Sequence, residues 1–425
     1  MSSRVDTRVN GRSLTVSLYV HVPFCVVKCA YCDFHSTPIS PEPALADHFA
    51  WAVGEGAAHW AALGVLDDVA SIYVGGGTPT TLGSATVSLV DVLHRNARLA
   101  PDAEVTVETN PDTTDPAIAL QLVEVGVTRF SLGVQSFDDT VLRTLGRCHT
   151  ASSAERALED LLGTGAAVSM DLICGVPGQT RDSWRDTVRR AVSSGVGHIS
   201  VYPLTVEEGT PFAESVSSEA IEPPDDDLAA EMMESAGAEL VASGFRRYEV
   251  ASYARDGCEG RHNAGYWTGR PYIGIGPAAA SMLPAEVFGA AIECEAWSDP
   301  GVAGIGRTLE GVPPECRRVR MVNPADTITF LRKPVGPPED VEYLTGVEAA
   351  AEDAMLGLRL TDGITDGTAS DAGVADVLTE LASQGLVEHV GDRWRVTSRG
   401  WLLGNEVFES VWYAGTHRGM GWHSL

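Results

Sequence analysis

Lysine is almost missing from this chain. Among 425 residues only Lys28 and Lys333 are lysine, and 30 Lys and Arg stand against 58 Asp and Glu, a formal net charge of −28. A surface of that sign repels phosphate backbones and anionic lipid, which excludes nucleic acid and membrane surfaces as general partners. No apolar run approaches the roughly 18 residues that cross a bilayer, so no integral membrane segment is expected. Residues 1–13 are polar and contain no apolar core, which argues against a secretory leader and for a cytoplasmic location. Cysteine is sparse but uneven. Of eight, three fall within eight residues, while Cys148, Cys174, Cys258, Cys294 and Cys316 are scattered. In a reducing compartment a clustered triplet favours metal ligation over disulfides. Hydrophobic content of 44% and charged content of 21% are ordinary for a globular enzyme, and the length exceeds what one compact domain needs.

From residue 17 to 205, short β-branched runs alternate with longer helical stretches. The runs are 17–21, 71–74, 105–108, 129–133, 169–174 and 198–202; helical patterns lie at 41–63, 84–94, 151–164 and 182–194. This spacing reads as parallel βα units, six in all: an α/β fold of the partial (β/α)6 barrel type. An open Rossmann-like sheet has the same spacing. A helix is expected near 226–243, a loop-rich stretch at 247–281 and an irregular linker at 284–338. Helices near 347–360 and 372–383, then strands at 386–389 and 394–397 around Gly391-Asp392, read as a winged-helix-like module. Its acidic first helix, with Glu348, Glu352 and Asp353, favours packing or a protein partner over DNA. The expected domains are 1–215, the barrel; 216–340, an extension and linker; and 341–425, an α+β C-terminal region holding the winged module.

Cys25, Cys29 and Cys32 follow the first strand in C-x3-C-x2-C spacing. Three thiolates can hold three irons of a [4Fe-4S] cluster and leave the fourth open. A zinc site would need a fourth ligand, which His35 could supply. Gly75-Gly76-Gly77-Thr78-Pro79 follows the second strand; glycines there let backbone approach a ligand, although a plain strand-to-helix turn has the same composition. Glu108 ends the third strand, Gln135 the fourth, and Asp171 lies in the fifth; Arg147 could clamp a carboxylate as a fork. Each alone has an ordinary structural explanation. Together they occupy one end of the strands, where barrel enzymes build active sites.

These motifs resemble the radical S-adenosylmethionine (SAM) superfamily, and over residues 17–410 the HemW and HemN group. Strings at 198–205, 247–250 and 261–267, with Leu356-Gly357-Leu358-Arg359-Leu360, carry the likeness. The resemblance implies cluster ligation by Cys25, Cys29 and Cys32, and SAM cleavage to a 5′-deoxyadenosyl radical. It implies cofactor contacts from Tyr19, Tyr31, Gly76, Gly77, Thr78, Glu108, Gln135, Arg147, Asp171 and Thr205. Oxygen-independent coproporphyrinogen dehydrogenases of the group carry a fourth cysteine two positions after the third, where this chain has Phe34. Cys32-Asp33-Phe34 and His262-Asn263-Ala264-Gly265-Tyr266-Trp267 are instead similar to the heme chaperones. That likeness implies heme as ligand, an unknown heme-acceptor protein as partner, and His262 as a heme contact, since imidazole ligates iron and Tyr and Trp pack on a macrocycle. The plainer reading of His262 is a buried histidine bonded to backbone. His21 is expected to support the cluster loop. Ala280, where the chaperones usually carry histidine, and the long 284–322 stretch keep a class C radical SAM methyltransferase open as the alternative.

Overall fold

The computed structural model describes residues 8–9, 12–293 and 312–417. Six parallel strands form its centre: β1 (Val16–Val22), β2 (Val69–Gly76), β3 (Leu99–Thr109), β4 (Arg129–Gln135), β5 (Ala167–Cys174) and β6 (His198–Pro203). Between them run α1 (Pro43–Ala62), α2 (Ala85–Asn96), α3 (Pro116–Glu124), α4 (Asp139–Thr144), α5 (Ala151–Gly163) and α6 (Arg181–Ser193). The six strands stand side by side in chain order, which is the partial barrel and not the Rossmann-like sheet that the alternating pattern left open.

Period-two alternation sorts the side chains of these strands. Val16, Leu18, Val20 and Val22 of β1 are fully buried against the helices, and Ile72, Val74, Val105, Val107, Phe130, Leu132, Met170, Leu172 and Ile199 continue that layer into one core. Burying each such side chain is worth about 1.5–3 kcal/mol. The alternate positions face the other way and are polar: Tyr19, Tyr73, Glu104, Glu108, Arg129, Ser131, Asp171, His198 and Ser200 all border one interior cavity. The sequence thus builds a barrel that is apolar outside its strands and polar within.

Beyond residue 210 the chain continues through α7 (Pro211–Ser217), α8 (Asp226–Ala242), β7 (Arg246–Arg247), β8 (Ser252–Ala254), α9 (Arg261–Trp267), β9 (Tyr272–Ile275), β10 (Ala280–Pro284), α10 (Ala285–Glu293), β11 (Cys316–Val322), α11 (Thr327–Arg332) and β12 (Asp340–Thr345). The central sheet has twelve strands in the order β7-β8-β6-β5-β4-β3-β2-β1-β9-β10-β11-β12. This corrects two expectations. The stretch 247–281 is not merely loop, for it supplies two strands within it and the helix α9. The stretch 284–338 is not an irregular linker: β10 and β11 pair antiparallel over five residue pairs, and β12 closes the edge. Residues 294–311 of that stretch lie outside the described residues. β9 joins β1 in parallel, so the extension grows from the barrel's first strand and shares its core.

A second core belongs to the C-terminal module. It contains α12 (Gly346–Gly357), β13 (Ile364–Thr365), α13 (Asp366–Ala372), α14 (Ala375–Ser383), the hairpin β14 (Val387–Val390) and β15 (Arg393–Val396), α15 (Ser398–Leu402) and α16 (Gly404–Thr416). Helices followed by a ribbon agree with the winged-helix-like expectation. The helix expected at 372–383 is α14; the shorter α13 before it was not expected and ends at Gly373, which has a φ of 66° in the left-handed conformation.

Candidate functional site at the open end of the barrel

The cluster loop leaves β1 and is held at both ends by backbone. Gly77 N donates to Val22 O (2.8 Å), Thr78 N to Phe24 O (2.7 Å) and Thr37 N to Pro23 O (2.7 Å). Its middle is fixed from the far side, where Ala30 N donates to Leu145 O (3.2 Å) and Phe212 N to Ala30 O (2.9 Å). His21 bonds Tyr19 Oη through Nδ1 (2.9 Å) and His35 O through Nε2 (2.7 Å), tying β1 to the loop. Cys25 is buried and Cys29 and Cys32 are half-buried. Burial raises the Cys25 thiol and pushes the Cys32 thiol up to about 11. Among the described residues no three His, Cys, Asp or Glu side chains converge as a single-ion site would require. Thiolates that hold separate irons of one cluster need no such convergence.

Two glycines create the space beside the loop. A Cβ on Gly77 would stand 2.5 Å from Phe24 O and 3.0 Å from Cys25 Sγ; one on Gly76, whose φ is 108°, would stand 2.6 Å from the His21 ring. Such distances forbid any side chain there. The cradle and the soft donor set suit an iron–sulfur cluster with a small polar ligand next to it.

Glu108 reads the glycine turn directly. Its Oε2 accepts from Gly76 N (3.1 Å) and its Oε1 from Tyr73 Oη (2.6 Å). Burial pushes its carboxyl up to about 7. Asp171, half-buried like Glu108, accepts from Ser131 Oγ (3.3 Å), and its carboxyl is also raised by desolvation. Gln135 sits at the end of β4 with φ 65°, a left-handed conformation rare for a residue with a side chain, where the ladder slips register. Arg147 is the organiser. It donates through Nη1 to Cys29 Sγ (3.3 Å) and through Nη2 to Asn110 Oδ1 (2.5 Å) and Gly133 O (2.8 Å). Asn110 in turn donates to Thr78 Oγ1 (2.8 Å), which lies 3.7 Å from Cys25 Sγ. A chain of contacts therefore runs from one cysteine to another through Thr78, Asn110 and Arg147. Asn110 was not among the sequence candidates; its position just past the end of β3 is the only signal that could have raised it.

Cys25, Cys29, Cys32, Tyr31, Gly76, Gly77, Thr78, Glu108, Gln135, Arg147 and Asp171 border one cavity of about 140 Å³. A second, of about 520 Å³, runs down the barrel; Tyr19, Thr205 and His262 border it, and Tyr31, Glu108, Gln135 and Asp171 border both. The structure thus brings every sequence candidate to one or the other of two adjoining spaces. From Glu108 to Glu104 the barrel is about 13 Å deep, at ~3.3 Å per residue. At its floor Glu104 pairs with Arg129 (2.9 Å) and accepts from the backbone N of Arg261 and His262.

His262 is 2% exposed at that floor. Ser71 Oγ donates to Ser17 Oγ, so the 2.9 Å contact of Ser71 with His262 is a bond from Nδ1–H; Nε2 then accepts from Tyr266 Oη at 3.0 Å. Both ring nitrogens are engaged, by side chains rather than by backbone. Burial drives this imidazole down to about 3, so it is neutral. Trp267 of the same string donates to Glu249 (3.2 Å) and carries the Arg359 guanidinium over its ring at 5.1 Å. The string plugs the barrel and ties it to the C-terminal module.

The "Radical SAM superfamily" family model matches residues 19–191, and that of the "HemN C-terminal domain" matches 344–403. The chain is 34% identical over 399 residues to the heme chaperone HemW of Mycobacterium tuberculosis, covering 93% of this chain and 94% of that protein. It is 31% identical over 402 residues to the heme chaperone HemW of Bacillus subtilis, covering 92% and 98%. Among solved structures, coproporphyrinogen III oxidase (HemN) from Escherichia coli superposes with a TM-score of 0.72 over 94% of this chain and 90% of that one, at 21% identity, a likeness of fold.

Proposed function

Because the chain belongs to the HemW family of the radical SAM superfamily, we propose that it is a heme chaperone: it binds heme as cargo and passes it to an acceptor protein in the cytoplasm. Membership implies a [4Fe-4S] cluster and SAM as resident cofactors. In this reading Cys25, Cys29 and Cys32 hold the cluster, and bound cluster and SAM supply one-electron chemistry. The remaining roles belong to the chain's own residues. Arg147 stabilises the Cys29 thiolate by a charge-assisted bond and fixes Asn110. Glu108 holds the Gly76 turn open for a polar ligand, and Gln135 and Asp171 face the same space. Tyr31 shields it from water.

The observation that carries the chaperone reading over its relatives in decarboxylation is Phe34. Its side chain, 63% exposed, stands where a fourth cysteine marks the coproporphyrinogen dehydrogenases, and it can ligate nothing. The test is an anaerobic titration of the cluster-loaded chain with hemin, followed by Soret absorption. A saturable one-to-one shift is expected; no shift at micromolar hemin overturns the proposal. The 520 Å³ space below the cofactor residues favours one second reading, a methyltransferase acting on a small substrate. S-adenosylhomocysteine formed together with a methylated product would establish that reading instead.

A further inference from the structure

Three observations bear on where the cargo sits, and they rest on the heme reading above. The first is that His262 has no nitrogen to offer. Both are bonded, and the ring is buried at the floor of the barrel. The second is the sign of the interior. Asp33, Glu104, Glu108, Asp171 and Glu207 border the large cavity, and among the described residues that do so Arg129 is the one arginine or lysine. Glu104 already neutralises that arginine at 2.9 Å. Heme carries two propionates, so entry would place anions beside carboxylates at low dielectric, which is costly. The third is the lip above the cysteines. Val26 is 41% exposed, Val27 47% and Phe34 63%, a set of apolar side chains turned to solvent. Val27, Lys28 and Phe34 border the same opening. Lys28 is one of two lysines in a chain of net charge −28.

We infer that heme docks outside the barrel, on the lip of the cluster loop, with its macrocycle against Val27 and Phe34 and a propionate on Lys28. Apolar contact and one cation at the edge match the two chemical characters of the ligand, a flat apolar face and an anionic rim. His262 then acts as the barrel's plug and not as a ligand of the iron.

The experiment is a set of anaerobic hemin titrations on the cluster-loaded full chain, with iron and sulfide content measured in each sample. Phe34→Ser is expected to weaken hemin at least tenfold with iron and sulfide unchanged. Phe34 is exposed, so this substitution leaves the core intact. Lys28→Glu is expected to weaken hemin but not its dimethyl ester, in which the propionates are uncharged. His262→Asn is expected to bind hemin within twofold of the parent. Parent-like binding by both lip variants, or a large loss confined to His262→Asn, overturns the lip assignment while the chaperone reading stands. Failure of the parent itself to bind overturns both.

Discussion

At the scale of single residues, the site is defined as much by missing atoms as by present ones. Gly77→Ala is expected to abolish cluster assembly, because its Cβ would lie 2.5 Å from Phe24 O, backbone that cannot yield without moving the cysteine loop; iron and sulfide analysis checks this. His262 yields a pH prediction. Its folded value near 3 lies below the ordinary value of 6.5. The unfolded chain therefore takes up a proton in that window and the folded chain does not. The stability of the neutral, buried ring is fully present above about pH 6.5 and is lost as pH falls towards 3, by up to about 1.4 kcal/mol per pH unit. His262→Asn should flatten the decline in urea midpoint between pH 7 and 5; an unchanged slope would show that the ring does not control it. The cysteine triplet, Gly76, Gly77 and Glu108 could be singled out in the sequence because each ends or follows a predicted strand. Asn110 could not, since its role depends on Thr78 arriving from beyond β2 and Arg147 from the loop after α4.

At the scale of elements, the six parallel strands were legible because each is a short β-branched run set off from the next by a longer, helix-containing stretch. The extension was not. β9 and β10 are only four and five residues long, and β11 and β12 lie in a stretch rich in Gly, Pro and acidic residues that masks their pattern. α4 and α9, of six and seven residues, are too short to show a helical period. Ion pairs fasten this extension to the C-terminal module. Arg318 of β11 bonds Glu352 (2.5 Å) and Asp353 (2.6 Å) of α12, and Arg320 reaches Glu352 at 3.1 Å. Glu352 is 5% exposed, so removing Arg318 leaves a buried carboxylate on Arg320 alone. Arg318→Ala should lower the unfolding free energy by about 3 kcal/mol, read from urea denaturation, while Arg318→Lys should recover part of it. A loss below 1 kcal/mol would show that Arg320 alone suffices.

At the scale of the whole molecule, charge sets the behaviour. A chain at −28 repels itself, and salt should relieve that strain. The thermal midpoint of the parent is expected to rise between low salt and about 0.5 M sodium chloride, at which the Debye length is well under 10 Å; a fall would mean that local ion pairs outweigh net repulsion. The α/β class followed from the alternation of runs, whereas the order of the strands, which separates the partial barrel from a Rossmann-like sheet, did not. The joining of the middle third to the barrel's sheet needed the coordinates, because sheet order beyond the parallel core has no periodic signature. The central claim beneath all of this is that three thiolates hold a cluster with one iron left open beside the glycine cradle. The most direct measurement is electron paramagnetic resonance of the reduced, reconstituted chain before and after SAM is added. A [4Fe-4S] signal that shifts on addition of SAM, and is absent in Cys29→Ala, is the predicted result. A signal that ignores SAM, or that survives the loss of Cys29, would contradict the account.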